Sequence, residues 1–226
     1  MYRHTDGIDF MRHLPDESVD GIFTDPPWGS DLKHKITSRI PGCDKWKELL
    51  GDLNEEAPRI LKPGGRVLIW VGARIMGDVI KILSNLEYRW FIVCHYIGAS
   101  RFCAVFIADI DPILYFAKPG DPWPKRGSNF KLPFLKQTYR NISGSNRHYR
   151  SDHPCPRPYR VVKEIIGDWF DPGEYIMDPF AGSDTTGYAC RNLEIRSDTC
   201  EIDQKLYQTG LNRHAQGLLF EQGEGQ

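Results

Sequence analysis

The sequence contains no run approaching the ~18 apolar residues that a membrane-spanning helix needs. Its first residues, Met1-Tyr2-Arg3-His4-Thr5-Asp6, carry no apolar signal-like stretch either. Both absences lead to the expectation of a cytoplasmic protein with no membrane partner. There is no Cys-x-x-Cys pair. The six cysteines, at 43, 94, 103, 155, 190 and 200, are scattered, and several lie in apolar runs. That pattern points to reduced core thiols and away from zinc or a disulfide framework. Net charge is almost absent, at −1 over 226 residues, which argues against a uniformly basic nucleic-acid binder. The charge is unevenly spread, however. Residues 118–150 hold eight Lys or Arg against one acid, Asp121, so this segment carries +7 and the remainder −8. One localised basic surface is what phosphate binding requires.

What is present is ordinary for a globular chain: 40% hydrophobic and 26% charged residues. The length allows one domain with a full core and is short for two, so residues 1–226 are expected to form a single unit. Val19 to Thr24 is β-branched and aromatic and reads as a strand. It runs into Asp25-Pro26-Pro27-Trp28. Two prolines end ladder pairing and hold the backbone rigid with its carbonyls free. Asp25 adds a carboxylate to this acceptor-rich corner, and Trp28 adds a flat π-face. A planar exocyclic amine of adenine or cytosine could be gripped there, with its two N–H groups meeting Asp25 and the Pro26 carbonyl and its ring stacked on Trp28. Acceptors that favour a pyramidal nitrogen would expose its lone pair. The bland alternative is a strand-to-helix loop with Trp28 as a core anchor.

Along the chain, residues 1–5 suggest a short strand and Asp9 to Leu14 a helical turn or two. Residues 29–43 lack a period and carry Lys33, Lys35 and Arg39, as a loop beside the site would. Leu49, Leu50, Leu53, Ala57 and Ile60 recur at helical spacing up to Lys62-Pro63-Gly64-Gly65. Arg66 to Val71 is a strand, and Ile75 to Leu86 the next helix. Tyr88–Ile97, Cys103–Ile107 and Ile113–Ala117 are three strand-like runs. Lys118 to Asp152 shows little periodicity, though its interleaved aromatics suggest that part of it packs. Val161, Val162, Ile165, Ile166 and Trp169 mark an amphipathic helix. Tyr175 to Asp178 is a short strand, residues 184–193 a helix, 195–201 a strand weak in propensity, and Gln204 to Gln216 a helix.

Asp25-Pro26-Pro27-Trp28 and Asp178-Pro179-Phe180-Ala181-Gly182-Ser183 together resemble the catalytic and cofactor motifs of the amino-methyltransferases of DNA. Leu14-Pro15-Asp16-Glu17-Ser18-Val19-Asp20 and Leu61-Lys62-Pro63-Gly64-Gly65 extend the resemblance over about residues 4 to 208. It implies an α/β fold: a doubly wound, mostly parallel Rossmann-like methyltransferase sheet with an antiparallel hairpin edge. The cofactor half comes last in the chain, and only 25 residues follow Glu201. The strand that should follow it must therefore lie near Tyr2 to Thr5, a circular permutation that matches the family's β-group.

The resemblance implies S-adenosylmethionine as cofactor and transfer of its methyl group to the amino group of a flipped base in DNA. Adenine N6 is favoured over cytosine N4, because Asp at position 25 is commoner in adenine enzymes. RNA methylation, or a catalytically silent DNA-binding subunit, are the other readings. The catalytic candidates are Asp25, Pro26, Pro27 and Trp28. The cofactor candidates are Asp178, Pro179, Phe180, Ala181, Gly182, Ser183, Thr185, Glu201, Asp203, Asp6 and Arg157. Arg157 closes His153-Pro154-Cys155-Pro156-Arg157, where the family more usually has lysine. Residues 118–152 stand where such enzymes place a target-recognition region. Lys125, Arg126, Lys131, Lys136 and Arg140, with Lys33, Lys35 and Arg39, are the candidate DNA contacts. The family context is prokaryotic or phage-encoded, and it leaves open a homodimer and a cognate restriction nuclease. Asp184 departs from the family's second glycine. It suits a positive φ, and as a helix cap it is expected to point outward into solvent; facing the cofactor carboxylate, it would repel it.

Overall fold

The computed structural model describes residues 1–28, 45–97, 101–103, 106–120, 137–142 and 157–221. In chain order the elements are β1 (Tyr2–His4), α1 (Gly7–Arg12), β2 (Val19–Thr24), α2 (Trp46–Ile60), β3 (Leu61–Trp70), α3 (Met76–Ile82), β4 (Glu87–Ile97) and β5 (Arg101–Cys103). They continue with β6 (Phe106–Ala108), β7 (Ile110–Ala117), β8 (Thr138–Ile142), α4 (Tyr159–Trp169), β9 (Tyr175–Asp178), α5 (Thr185–Arg191), β10 (Arg196–Glu201) and α6 (Gln204–Glu221).

The main sheet is ordered β1-β10-β9-β2-β3-β7-β4-β8. β1, β10, β9, β2 and β3 pair in parallel, β7 is antiparallel to both β3 and β4, and β8 is parallel to β4. Thus β7 alone runs against the rest. β5 and β6 form a separate antiparallel pair.

The sheet is covered on both faces, which is why its central strands read as continuous apolar runs. Along β3, Val67 and Ile69 join one core while Leu68 and Trp70 join the other, the alternation that a strand imposes. Leu50, Leu53, Ala57 and Ile60 of α2 pack into the first core with Ile8 and Met11 of α1. Val161, Val162, Ile165, Ile166 and Trp169 of α4 fill the second with Ala189 and Cys190 of α5. Three layers result. Cys94, Cys190 and Cys200 are buried thiols outside any disulfide, and burial pushes Cys190 and Cys200 up to about 12.

The permutation is visible in the register. β1 lies beside the last strand, with Tyr2 opposite Thr199 and His4 opposite Glu201. β10, weak in strand propensity, is held through its polar residues: Asp198 accepts from Arg3 Nε at 2.7 Å and from the Tyr175 hydroxyl at 2.7 Å.

Several elements differ from expectation: α3 ends at Ile82, short of Leu86, and the run Cys103–Ile107 read as one strand falls across β5 and β6. β3 begins at Leu61, four residues before the expected Gly65 stop ends; Gly64 at φ 78° and a register shift between Val19 and Gly21 absorb the turn-like residues. β8 arises inside the segment read as aperiodic, because pairing with β4 and the burial of Tyr139 decide its state over local pattern.

Candidate active site

β9 and β2 are neighbours whose onward connections run in opposite directions across the sheet, to β10 and to β3. Ligands bind doubly wound sheets in the crevice at the carboxyl ends of such a pair. Asp25 follows β2 and Asp178 ends β9. The Thr24 hydroxyl ties the two ends, donating to Asp178 Oδ1 at 2.6 Å. The cleft here is lined by Phe23 and Asp25, by Trp70 from β3, by Arg157, and by Asp178 with residues 180–183, Thr185 and Thr186. The cleft therefore brings Asp25 together with Asp178, residues 180–183, Thr185 and Arg157 of those expected to hold the cofactor, whereas Pro26, Pro27, Trp28, Pro179 and Glu201 do not line it.

Asp25 is tightly partnered. Arg157 meets it with a fork, Nε to Oδ2 at 2.6 Å and Nη2 to Oδ1 at 2.9 Å. The Trp28 indole N–H donates to Oδ1 at 3.1 Å and to the Trp70 carbonyl at 3.0 Å. Trp28 thus anchors the carboxylate, and its ring packs against the first core, edge-on to Trp46 with centroids 5.6 Å apart, without lining the cleft. Arg157, expected at the cofactor, has its guanidinium on Asp25 and on Asp111, where Nη1 reaches Oδ2 at 2.9 Å. Burial works against its charge, but the two carboxylates outweigh it and raise its pKa further.

On the cofactor side, Glu201 at the end of β10 accepts from the Gly182 N–H at 2.8 Å and the Asp203 N–H at 2.7 Å. Each bond uses a different oxygen, so each oxygen keeps a lone pair, a pattern suited to two ribose hydroxyls. Gly182 stands at φ 55°, a left-handed turn natural to glycine. α1 abuts this loop so closely that a Cβ on Gly7 would lie 2.1 Å from the Pro179 carbonyl oxygen. Asp178 is buried, and desolvation pushes its carboxyl up to about 7, with hydrogen bonds from Thr186, Thr24 and the Phe180 N–H pulling partly back. Glu201 also rises to about 7, again mainly through burial. Asp178 beside the apolar walls of Phe23, Val162 and Phe180, and Glu201 at the end of β10, fit a cofactor that carries positive charge next to an adenosine.

Asp203 and Asp6 are engaged as caps. Asp203 accepts from the Lys205 and Leu206 N–H groups, and Asp6 from the Asp9 N–H; neither lines the cleft. Asp184 has φ 56° and caps α5 through the Gly187 N–H at 3.1 Å. Its expected solvation is not found. It is 1% exposed, its other oxygen meets His214 Nε2 at 2.5 Å, and it lines a separate cavity with Arg191 and His214. Burial here is met by pairing, as a buried carboxylate requires.

Of the DNA candidates, Arg140 lies on β8 opposite His95. Lys33, Lys35, Arg39, Lys125, Arg126, Lys131 and Lys136 lie outside the described residues. Several site residues had no sequence signal of their own. Asp111, two residues before the strand-like run that starts at Ile113, has an Oδ2 that gathers Arg157, the Tyr96 hydroxyl at 3.0 Å and the Trp70 indole at 3.4 Å. Arg213 of α6 supports the cofactor turn from behind, donating to Thr185 Oγ1 at 2.5 Å.

Comparison with known sequences decides the family. The family model described as DNA methylase matches residues 19–212. The chain belongs to the DNA methylase family. As a member of the N6-adenine/N4-cytosine group it is an S-adenosylmethionine-dependent DNA amino-methyltransferase. This methylase is 24% identical over 231 residues to the type II methyltransferase M.HpaI of Haemophilus parainfluenzae, covering 92% of this chain and 72% of that one. Its fold is similar to that of M1.HpyAVI solved with S-adenosylmethionine, with a TM-score of 0.70, 24% identity, and 94% and 98% of the two chains covered. It is also similar to the PvuII cytosine-N4-specific DNA methyltransferase, with a TM-score of 0.71, 15% identity, and 93% and 84% covered.

Proposed function

We propose that this methylase acts on adenine N6 in DNA, on a base turned out of the duplex into the cleft beside Asp25. The observation that carries the reading is the meeting of Asp25-Pro26-Pro27-Trp28 with Asp178 at one strand junction, tied through Thr24. When bound, S-adenosylmethionine supplies an electrophilic methyl group. Glu201 would hold its ribose, residues 179–183 would line its site, and the carboxylates of Asp178 and Glu201 would favour its positive charge. Asp25 and the Pro26 carbonyl orient the amino group and make its nitrogen lone pair available. That nitrogen would take the methyl as the bond from methyl to the cofactor sulfur breaks, its electron pair staying on sulfur in the product S-adenosylhomocysteine, and would give up one N–H proton towards the acceptors it already faces. A base still stacked in the duplex cannot reach this corner, so extrusion is required.

Aspartate at position 25 favours adenine, and cytosine N4 is the competing target. The basic segment 118–152, with Lys33, Lys35 and Arg39, supplies phosphate contacts on this reading, and the protein works in a cytoplasm, with a cognate nuclease where it belongs to a restriction system. Expression in a host lacking adenine methylation, followed by sequencing of host DNA with modified-base detection, tests this. N6-methyladenine at one recurrent site is expected. N4-methylcytosine alone would reverse the base assignment, and unmodified DNA would remove the catalytic reading.

A further inference from the structure

The Asp25 carboxylate accepts three N–H groups: two from Arg157, at 2.6 and 2.9 Å, and one from Trp28, at 3.1 Å. A carboxylate offers about four acceptor sites. Among the described residues, both sites on Oδ1 are used and one site remains on Oδ2. The guanidinium that imposes this pattern is itself fixed from two sides. Asp111 takes its third nitrogen at 2.9 Å, and the Trp70 ring lies beneath it, 4.7 Å from Cζ to centroid. Asp111 is braced in turn by the Tyr96 hydroxyl and the Trp70 indole. Asp25, Trp70 and Asp111 come from β2, β3 and β7, three adjacent strands, at the edge where the first two end and the antiparallel third begins.

We propose that Arg157 is a positioning residue for the methyl transfer: anchored by Asp111 and Trp70, it locks Asp25 so that a single Oδ2 acceptor faces the target amino group. It stays in place during turnover and does not ligate the cofactor. Its charge has a second use. Asp25 and Asp111 both bond to this one cation, which offsets their mutual repulsion. Lysine could restore charge at position 157 but could not span both Asp25 oxygens and Asp111 with a planar fork.

The proposal rests on the amino-methyltransferase reading, and wild-type DNA methylation in the same assay separates failure of one from failure of the other. The test compares Arg157→Ala, Arg157→Lys and Asp111→Asn at saturating S-adenosylmethionine, with cofactor affinity by calorimetry and folding by thermal melt. Arg157→Ala should lose on the order of 100-fold in kcat, the scale set by misplacing a catalytic group, with cofactor Kd within twofold. Arg157→Lys should recover only part of the loss. Methylguanidinium added at millimolar concentration should restore Arg157→Ala further than it restores Asp111→Asn, where the anchor is missing. Should Arg157→Ala fail to fold, the lysine and Asp111→Asn variants carry the comparison, both predicted to lower kcat with unchanged cofactor Kd. Loss of cofactor affinity parallel to loss of activity would overturn the proposal in favour of a cofactor ligand. Undiminished kcat in Arg157→Ala or in Arg157→Lys would overturn it by showing that the fork is dispensable.

Discussion

Trp28 anchors Asp25 through its indole N–H and, on the proposed function, offers its ring to the base, two roles that a single substitution can part. Phenylalanine keeps an aromatic face but removes the indole donor that Asp25 and the Trp70 carbonyl share. Trp28→Phe should therefore lower turnover about tenfold and cost roughly 1 kcal/mol of stability, the usual worth of one hydrogen bond. Trp28→Ala should lose a further 1–3 kcal/mol of base stacking, read as weaker DNA binding. Wild-type kinetics in the phenylalanine variant would show that the donor is unused. Asp178 makes a claim about pH. Its folded carboxyl titrates at about 7 against 3.8 unfolded, so its contribution to stability is fully present below pH 3.8 and is lost as pH rises through 7. The Thr24 hydroxyl and the Phe180 N–H both donate to Oδ1, and asparagine retains that oxygen. Asp178→Asn should thus be more stable than wild type above pH 7, by on the order of 1–3 kcal/mol. The gap should close towards pH 4, and S-adenosylmethionine should bind more weakly. Melting curves across pH that show no growing gap would refute the buried-charge account.

The junction of α5 and α6 turns on Asp184. Glycine accepts its φ of 56° and caps tolerably, but His214 loses its carboxylate. Asp184→Gly should cost about 1–2 kcal/mol in thermal melts with cofactor affinity within twofold, since the carboxylate lies in a cavity apart from the cleft. A tenfold gain in affinity would instead show that the cofactor feels this charge. The same element marks the limit of what the sequence discloses. Ser183-Asp184-Thr185-Thr186 announces a helix start through cap chemistry, which is local. The partner of the cap, His214, is 30 residues away on another helix, and no local pattern points to it. β8 fails for a related reason: its state is set by pairing with β4 across a long intervening stretch, whereas the repeating apolar face of α4 is written within eleven residues.

For the molecule as a whole, permutation was legible because it follows from counting: with the cofactor half last and few residues after Glu201, the missing strand has to be the first. The Asp25 corner and the 178–183 loop were legible because proline, glycine and carboxylate act within a few bonds. Asp111 and the placing of Arg157 were not, since three strands must assemble before those side chains meet. DNA binding belongs to this scale too. If Lys125, Arg126, Lys131, Lys136 and Arg140 meet phosphates, replacing all five by alanine should weaken binding evenly across sequences and flatten the dependence of log K on log salt by about 0.9 per lost contact. An unchanged slope would move the surface to Lys33, Lys35 and Arg39. The central claim is that Asp25 presents an adenine amino group for methylation. Its most direct measurement is mass spectrometry of nucleosides from DNA incubated with S-adenosylmethionine and either wild-type enzyme or Asp25→Ala. Wild type should yield N6-methyldeoxyadenosine, and Asp25→Ala, with calorimetric cofactor affinity intact, at least a hundredfold less. Equal yields from the two proteins, or methylation confined to cytosine, would contradict it.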